Sequence, residues 1–262
     1  EYIAFLDSDD LWLPDKLEKQ LEVFRTSNDS SGIVYCSMIR LEKGIATLHS
    51  NHYRGQVNIE NVLEKGGIAT SRIMVRKSTL ENIGTFDESL PAFEDWELEM
   101  RISKIRSFVS IEEVGVIQRR FGKGVYYNNP VSALSGLEIL LDKYKKEIIR
   151  NKYVMRRFYS TIGNSYCLIN KCSTGIRYFV KAMTVGGYIH LRLWFQIFTA
   201  LLGTDVYKIS QRFYRKLRNI VLNLLWTRRI WIQKIPKNIR RFLTQFESNK
   251  KLLVNRFYLW RM

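Results

Sequence analysis

The chain has 262 residues and a formal net charge of +17 at pH 7, and all of the excess positive charge lies in its second part. Residues 1–150 carry 20 Lys/Arg and 23 Asp/Glu, whereas residues 151–262 carry 22 Lys/Arg against only Asp205 and Glu247. This length suits one large domain or two small ones, and three cysteines without paired spacing exclude a disulfide framework or a cysteine-based zinc site and favour a reduced, cytosolic setting.

Three carboxylates follow an apolar run at the start of the chain. The run 2–6 is typical of a buried strand, and Asp7, Asp9 and Asp10 come directly after it. In an open α/β sheet, ligands bind beyond the C-terminal ends of strands, and carboxylate oxygens suit Mg²⁺ or Mn²⁺. The sequence therefore predicts a metal site here. The alternative is an acidic turn that caps the helix beginning at Pro14.

The segments that follow are predicted to alternate between helices and strands. Leu17, Leu21 and Phe24 fall on one face of the helix that begins at Pro14. The further predictions, in chain order, are a strand over 33–41, a strand over 68–75, a helix over 78–83 that stops at Gly84, a helix over 95–105, and two short strands over 108–119.

Two blocks of this sequence carry a resemblance to a known family. The first is YIAFLDSDDLWLPDKLEKQLEVF at 2–24, and the second is GTFDESLPAFEDWELEMRISK at 84–104. Together they resemble family 2 glycosyltransferases, over roughly residues 1–125. The resemblance implies an α/β fold with part of a GT-A-type mixed sheet and helices. It also implies an inverting transfer of a sugar from a nucleotide-diphosphate donor to a hydroxyl of a glycan or lipid-linked acceptor.

The resemblance gives the carboxylates of the first block their roles. Asp9 is the first choice for contact with a divalent cation, Mg²⁺ or Mn²⁺, which would act as a Lewis acid on the departing diphosphate. Asp7 is expected to contribute through the donor ribose or a water molecule. Asp10 is expected at the donor site, where it orients the loop.

The second block supplies the general base. Asp95, within Glu94-Asp95-Trp96, matches the catalytic base of the family, and Glu94 and Trp96 are expected beside it at the donor or acceptor site. An apolar neighbour such as Trp96 raises the pKa of a carboxyl group toward the working pH. The alternative is that Glu94 and Asp95 only begin a helix, where acidic residues favour the helix dipole.

Four arginines complete the candidate donor and acceptor site. Arg72 and Arg76 flank three apolar residues of a predicted strand, so both would point one cationic face at the acceptor or the diphosphate; surface arginines without a ligand are the alternative. Family members often have basic residues and then a His where this chain has Arg119-Arg120-Phe121. Because no His follows, the third metal ligand stays open, and Arg119 or Arg120 would neutralise phosphate charge instead.

The resemblance also implies that the chain begins within the family's domain. Glu1 lies inside the first predicted strand, with no Met or leader before it. In the family, the strand–helix units before Asp-x-Asp cradle the nucleobase and ribose, so an N-terminally truncated domain is expected. A second function therefore stays open: a non-catalytic transferase domain that binds protein or nucleic acid through its basic tail.

Residues after 125 are predicted to be helical, in two parts. The spacing of Leu134, Leu137, Leu141 and Tyr144 is helical. Residues 126–204 are expected to form a helical extension, with a helix pair that is either a single tetratricopeptide-like hairpin or an ordinary one. Residues 205–262 are expected to form a basic amphipathic tail.

The tail predicts a partner as well. Its interleaved aromatic and basic residues, as in the run 212–216, suit a helix that lies on an anionic membrane surface. Nucleic acid is disfavoured because no RNA-binding motif is present, and a solvated or partner-docking appendage is the third option. Residues 193–207 carry a single charge, Asp205, and are shorter than the roughly 20 apolar residues of a membrane span. The expected location is cytoplasmic and peripheral, at the inner face of the cell membrane.

Overall fold

The computed structural model describes residues 1–27, 31–42, 45–50, 53, 57–120, 129–186 and 190–225. The strands are β1 Tyr2–Ala4, β2 Leu11–Trp12, β3 Ser31–Glu42, β4 Ile45–His49, β5 Ile73–Arg76 and β6 Ser107–Arg120. The helices are α1 Lys16–Thr26, α2 Ile59–Lys65, α3 Lys77–Ile83, α4 Glu94–Ser103, α5 Pro130–Lys143, α6 Lys145–Arg150, α7 Lys152–Leu168, α8 Cys172–Gly186, α9 Leu191–Leu201 and α10 Thr204–Leu225. The chain divides into two units, residues 1–214 and 215–262.

The strands form one mixed sheet. Its order is β1-β5-β3-β6-β2, and β4 pairs with β3 outside this path. β3 and β6 run parallel, and every other described pair is antiparallel. β1, β3 and β6 therefore point the same way, which brings the C-terminal end of β1 and that of β6 to one edge of the sheet. The α/β architecture is the predicted one.

The main core lies on one face of the sheet and continues into the helices beyond it. It includes Ile33 and Ile73 from the strands, Leu98 from α4, and Leu140 and Ile162 from α5 and α7, each fully buried. The predicted boundary at 125–126 thus marks a change from strands to helices, and the same core crosses it. The division into three parts stays a prediction.

The face of α1 that packs on the sheet differs from the predicted one. Leu17 is 39% exposed, whereas Lys16 and Gln20 are buried. Lys16 Nζ donates to Gln20 Oε1 at 2.6 Å, and Gln20 Nε2 donates to the carbonyls of Val34 and Arg72 at 2.8 and 2.9 Å. Buried polar groups are tolerated when they are hydrogen-bonded, so polar residues here occupy positions that the apolar pattern assigned to Leu17.

Two predicted strands also differ in the structure. The strand expected over 68–75 is shortened, because Thr70–Arg72 form a 3-10 turn and only Ile73–Arg76 pair as β5. The two strands expected over 108–119 are one strand, β6, whose register against β3 shifts between the pairs Tyr35–Ser110 and Ser37–Val114. The predicted interruption at Glu112 and Glu113 is therefore a bulge.

The predicted helix pair is α7 and α8, and glycines bring the two helices close together. A Cβ atom on Gly175 would lie 2.7 Å from the Gly163 carbonyl oxygen and 2.5 Å from Cys167 Sγ. Whether the pair is a tetratricopeptide-like hairpin or an ordinary one stays open. Among the helices that the structure describes, none is long and apolar enough to cross a membrane.

Candidate active site

The turn after β1 presents its carboxylates at the sheet edge. The backbone N–H of Asp10 donates to the carbonyl of Asp7 at 3.0 Å, which closes the turn. Arg119, at the end of β6, donates from Nε to the carbonyl of Asp9 at 2.6 Å and from its backbone N–H to Asp10 Oδ1 at 3.3 Å. Asp10 is buried, whereas Asp7 and Asp9 are exposed. The turn therefore holds Asp10 inward and leaves the other two carboxylates to solvent.

Ser71 is part of the site, and sequence reasoning missed it. It is fully buried in the 3-10 turn, and its hydroxyl oxygen accepts from the backbone N–H of Asp7 at 3.1 Å. Its carbonyl accepts from Trp12 Nε1 at 2.9 Å. Ser71 thereby ties the start of the acidic turn to the sheet and to β2. A serine next to an apolar strand carries no sequence signal for this task.

The start of α4 carries the second pair of carboxylates, Glu94 and Asp95. The preceding residue, Phe93, has φ 73° and ψ 18°, a left-handed conformation that is uncommon for a bulky residue and often found at functional sites. Gly136 of α5 makes room for this turn, since a Cβ there would lie 2.6 Å from the Ala92 carbonyl oxygen. The sharp turn places Glu94 and Asp95 in the first turn of the helix.

The segment before α4 is held by ion pairs and a clamp on its backbone. Arg101 donates to the carbonyls of Ile83, Gly84 and Thr85, and its Nε pairs with the buried Glu97 at 2.8 Å. Lys143 bridges Glu97 and Asp87 at 2.6 and 2.8 Å. The hydrogen bond from Lys143 lowers the pKa of Asp87 to about 2. Asp87 and Glu97, two further acidic residues of this motif, therefore fix its conformation.

A cleft of about 630 Å³ lies between the two acidic segments. Its lining includes Asp7 from the turn, Glu94 from α4, and Phe86 and Glu88 from the segment before α4. Although Asp7 as a residue is exposed, its carboxyl group is partly covered by the protein, and this partial burial raises its pKa; the charges of Asp9 and Glu94 raise it further. Like charges raise one another's pKa only at short range, so carboxylates from both segments meet at this cleft.

Asp95 is half-buried and belongs to the same group of carboxylates. Burial raises its pKa to about 6, the charges of Glu94 and Asp7 add to this rise, and a hydrogen bond from the Trp96 backbone N–H, 2.7 Å from Oδ1, opposes it. Glu99 lies one helical turn further along α4 and is fully buried. Its Oε1 accepts from the Ile68 N–H at 2.7 Å, and burial raises its pKa well above the usual value. A buried carboxyl group with a raised pKa therefore lies one turn away from Asp95.

Few side chains at this site are placed where they could hold a metal ion. Asp10 has its pKa raised to about 6 by burial, with further contributions from Asp7 and Asp9, and its Oδ2 has no hydrogen-bond partner among the described residues. In the part of the chain that the structure describes, no three His, Cys, Asp or Glu side chains are grouped so as to hold a metal ion together.

Trp96 does not line the cleft as predicted, because it is a core residue. It is 6% exposed, and its Nε1 donates to the carbonyl of Val62 at 2.9 Å. Its ring stacks on Phe158 with centroids 5.6 Å apart. A large ring with one polar atom is well suited to joining α4 to α2 and α7, and this packing fixes the helix that carries Asp95.

The two arginines around β5 do not form the predicted cationic face. Arg72 is fully buried, and its Nε donates to the carbonyl of Cys36 at 2.6 Å. Arg76 packs its guanidinium over the rings of Tyr2 and Phe24, at 5.3 Å from each centroid. The alternation expected of a strand does not apply, because Arg72 lies in the 3-10 turn before β5. The side chain of Arg120 lies outside the described residues.

Comparison with known proteins agrees with the fold and with the family resemblance. S. aureus TarS, residues 1–349, has a similar structure, with a TM-score of 0.51 at 14% sequence identity over 82% of this chain and 67% of that chain. The mixed sheet with its helices is thus a GT-A-like α/β fold. The family described as "Glycosyltransferase like family 2" matches residues 1–185, and the chain belongs to this family.

Curated relatives point the same way. An uncharacterized glycosyltransferase of Rickettsia typhi is 24% identical over 161 residues, which cover 59% of this chain and 50% of the relative. An uncharacterized glycosyltransferase of Rickettsia bellii is 26% identical over 129 residues, 46% of this chain and 18% of the relative. The chain therefore spans about half the length of the first of these relatives, and less of the second.

Proposed function

We propose that the chain carries part of the active site of an inverting glycosyltransferase. The transfer would move a sugar from a nucleotide-diphosphate donor to a hydroxyl of a glycan or lipid-linked acceptor. The observation that carries the proposal is that Asp7 and Glu94, from the two segments that match the family, line one cleft. The charges of Glu94 and Asp7 also raise the pKa of Asp95, which supports its closeness to them. Membership of the family supports the reaction class.

Asp95 is the proposed general base. Its carboxylate would accept the proton of the acceptor hydroxyl while that oxygen attacks the anomeric carbon of the donor and the nucleoside diphosphate leaves. A pKa of about 6 keeps most of the group ionised at pH 7 and makes it a stronger base than an ordinary carboxylate. Trp96 and Phe93 act as positioning residues, because they fix the first turn of α4.

The residues of the turn fit a divalent cation. Mg²⁺ in phosphate-transfer sites is held by one or two carboxylates together with substrate phosphates and water, so Asp9 and Asp7 do not need a third side chain. The mutual repulsion of the carboxylates and the unpartnered Oδ2 of Asp10 fit a positive charge nearby. Such a cation neutralises the charge of the leaving diphosphate when bound. Arg119 would act as a positioning residue, since it holds the carbonyl of Asp9.

Loss of one turn carboxylate tests this proposal in the full-length protein. Release of nucleoside diphosphate from a panel of UDP-, GDP- and dTDP-sugars would be measured with and without Mn²⁺. Asp9→Asn should abolish the Mn²⁺-dependent release and weaken Mn²⁺ binding by calorimetry, and Asp7→Asn should weaken donor binding as well.

Glu18→Gln is the matched control, because it removes an exposed carboxylate of α1 away from the cleft. It should leave release and Mn²⁺ binding unchanged. Wild-type activity in Asp9→Asn would remove Asp9 from the site. Absence of release with every donor, in a protein that binds Mn²⁺ normally, would favour a non-catalytic transferase domain.

A further inference from the structure

Helix α9 exposes a continuous apolar face. Six large apolar residues recur at helical spacing along its 11 residues and the residue after it, and Leu191, Phe198 and Leu201 are 86%, 60% and 68% exposed. The full set is Leu191, Trp194, Phe195, Phe198, Leu201 and Leu202. Single exposed apolar residues are ordinary on a protein surface, but a contiguous group of this size marks a binding surface.

The face is exposed because the opposite side of α9 is already packed. Leu193, Ile197 and Ala200 are buried in the core that α8 and α9 share. Tyr207 of α10 is fully buried in the same core, and its hydroxyl donates to Asn164 Oδ1 at 2.8 Å. The helices are therefore held firmly by their packed sides, and the residues of the apolar face are exposed on the other side.

The first half of α10 repeats the pattern. Val206, Ile209 and Phe213 follow one another at i, i+3 and i+7 and are 40–65% exposed. Helix α10 thus has an apolar stripe on one side and a packed residue, Tyr207, on another. This arrangement is typical of a surface helix with two contact faces. The apolar face of α9 and this stripe of α10 are together called the outer face below.

Basic residues accompany the outer face. Arg192, Lys208 and Arg212 lie on the same helices, and no acidic residue occurs between Asp205 and Glu247. Helices with an apolar face that contains Trp, Phe and Leu, and with Lys and Arg beside it, bind in the interface of anionic membranes. Each basic residue near such a surface adds about 1 kcal/mol of attraction.

We propose that the outer face lies in the interface of a membrane that contains anionic lipid. A second copy of this chain is disfavoured as the occupant, because it would bring an equally basic surface. Residues 226–262 are disfavoured for the same reason, since they carry ten Lys/Arg and one acidic residue. The proposal goes beyond glycosyl transfer and uses no residue of the acidic cleft.

Vesicle flotation with the full-length protein tests the proposal. The probes are vesicles of phosphatidylcholine alone and vesicles with about 30 mol% phosphatidylglycerol, each in about 50 mM and about 500 mM salt. The wild type should float with the anionic vesicles, and less so at the higher salt concentration. Phe198→Ser/Leu201→Ser should lower the partition coefficient about tenfold or more, because two large apolar side chains no longer enter the interface.

The control removes two exposed apolar residues from another surface. Val131 of α5 and Ile149 of α6 are 60% and 48% exposed, so Val131→Ser/Ile149→Ser should float like the wild type. The melting temperature of Phe198→Ser/Leu201→Ser should equal that of the wild type, because these side chains are in solvent.

Several results would overturn the proposal. A lower melting temperature in Phe198→Ser/Leu201→Ser would mean that the chain itself covers the outer face. A change from dimer to monomer in light scattering, with flotation unaltered, would assign the face to a second copy. Flotation that the double substitution leaves unchanged, or binding to poly(U) RNA without binding to either vesicle, would contradict it directly.

Discussion

At the scale of single residues, the site depends on how deeply each carboxyl group is buried. Asp9 is exposed, Asp95 is half-buried with a pKa of about 6, and Glu99 is fully buried with a pKa well above the usual value. Asp95 and Glu99 therefore differ in pKa although they lie within one helical turn of each other. Under the proposed function, this gradient suits an exposed carboxylate to cation binding and Asp95 to proton transfer.

The first prediction at this scale is a pH profile. Because the base must be ionised, kcat/KM of the full-length protein should fall about tenfold per pH unit below about pH 6. Asp95→Asn should remove this acid limb from the residual rate. A wild-type profile that stays flat down to about pH 4.5 would contradict the assignment of Asp95.

The second prediction concerns Glu99 and stability. Because the pKa of Glu99 is raised by folding, the folded chain keeps a proton on Glu99 at pH values where the unfolded chain releases it. The contribution of Glu99 to the free energy of unfolding is therefore fully present below the unfolded pKa and is lost as pH rises through the folded pKa. Glu99→Gln keeps the oxygen that accepts from Ile68 and removes the titration. It should raise the melting temperature at pH 8 and change it less at pH 5.

Thermal unfolding of both proteins at the two pH values checks this, with about 2–4 °C expected for each kcal/mol in a chain of this size. Glu88→Gln, an exposed carboxylate, is the control. An equal shift at pH 5 and pH 8 would show that the substitution acts through packing alone.

The positions of the acidic residues were predicted from the sequence better than those of their neighbours, and their roles stay a prediction. A carboxylate directly after an apolar run, or at a position of the family motif, is a clear sequence signal. This signal identified Asp7, Asp9 and Asp95. The buried position of Arg72 could not be predicted, since nothing in the sequence shows that a 3-10 turn replaces the start of the strand. Ser71 and the left-handed Phe93 depend on tertiary contacts, which local patterns do not contain.

At the scale of elements, packing decided the features that periodicity missed. The helices over 77–83, 94–103 and 130–143 were predictable from local signals: Gly84 ends the first, apolar spacing marks the second, and Pro130 and apolar spacing mark the third. The buried face of α1 was not, because Gln20 binds carbonyls of two distant segments. The bulge in β6 likewise reflects its pairing with β3 and not its own composition.

The prediction at this scale concerns the close approach of α7 and α8. Gly175→Ala places a methyl group against the Gly163 carbonyl and Cys167, and backbone there cannot move away easily. Overpacking of this kind costs roughly 1–3 kcal/mol, and the helix-propensity gain of about 1 kcal/mol offsets only part of it. Chemical denaturation should therefore show a lower free energy of unfolding.

Ser173→Ala is the control, because it adds helix propensity on an exposed position of α8. It should leave stability unchanged or raise it slightly. If Gly175→Ala proved as stable as Ser173→Ala, the close contact between the two helices would be absent in solution.

At the scale of the whole molecule, chemistry and charge lie in different parts of the chain. The acidic cleft belongs to the first 104 residues, whereas the basic excess lies after residue 150. The core that begins in the sheet continues to α7. The helices therefore pack against the part of the chain that forms the cleft and support it. The family match over residues 1–185 covers both the cleft and the helices up to α7.

The most direct test of the central claim is the turnover of Asp95→Asn in the full-length protein. It would be measured at saturating concentration of the nucleotide sugar that the wild type uses best, with donor affinity determined separately by calorimetry. We expect turnover to fall by about 10²–10⁴-fold with donor affinity unaltered, because the base acts in the chemical step. Asp142→Asn, an exposed carboxylate of α5, should behave as wild type. Wild-type turnover in Asp95→Asn, or lost donor binding with turnover retained at saturation, would contradict the account.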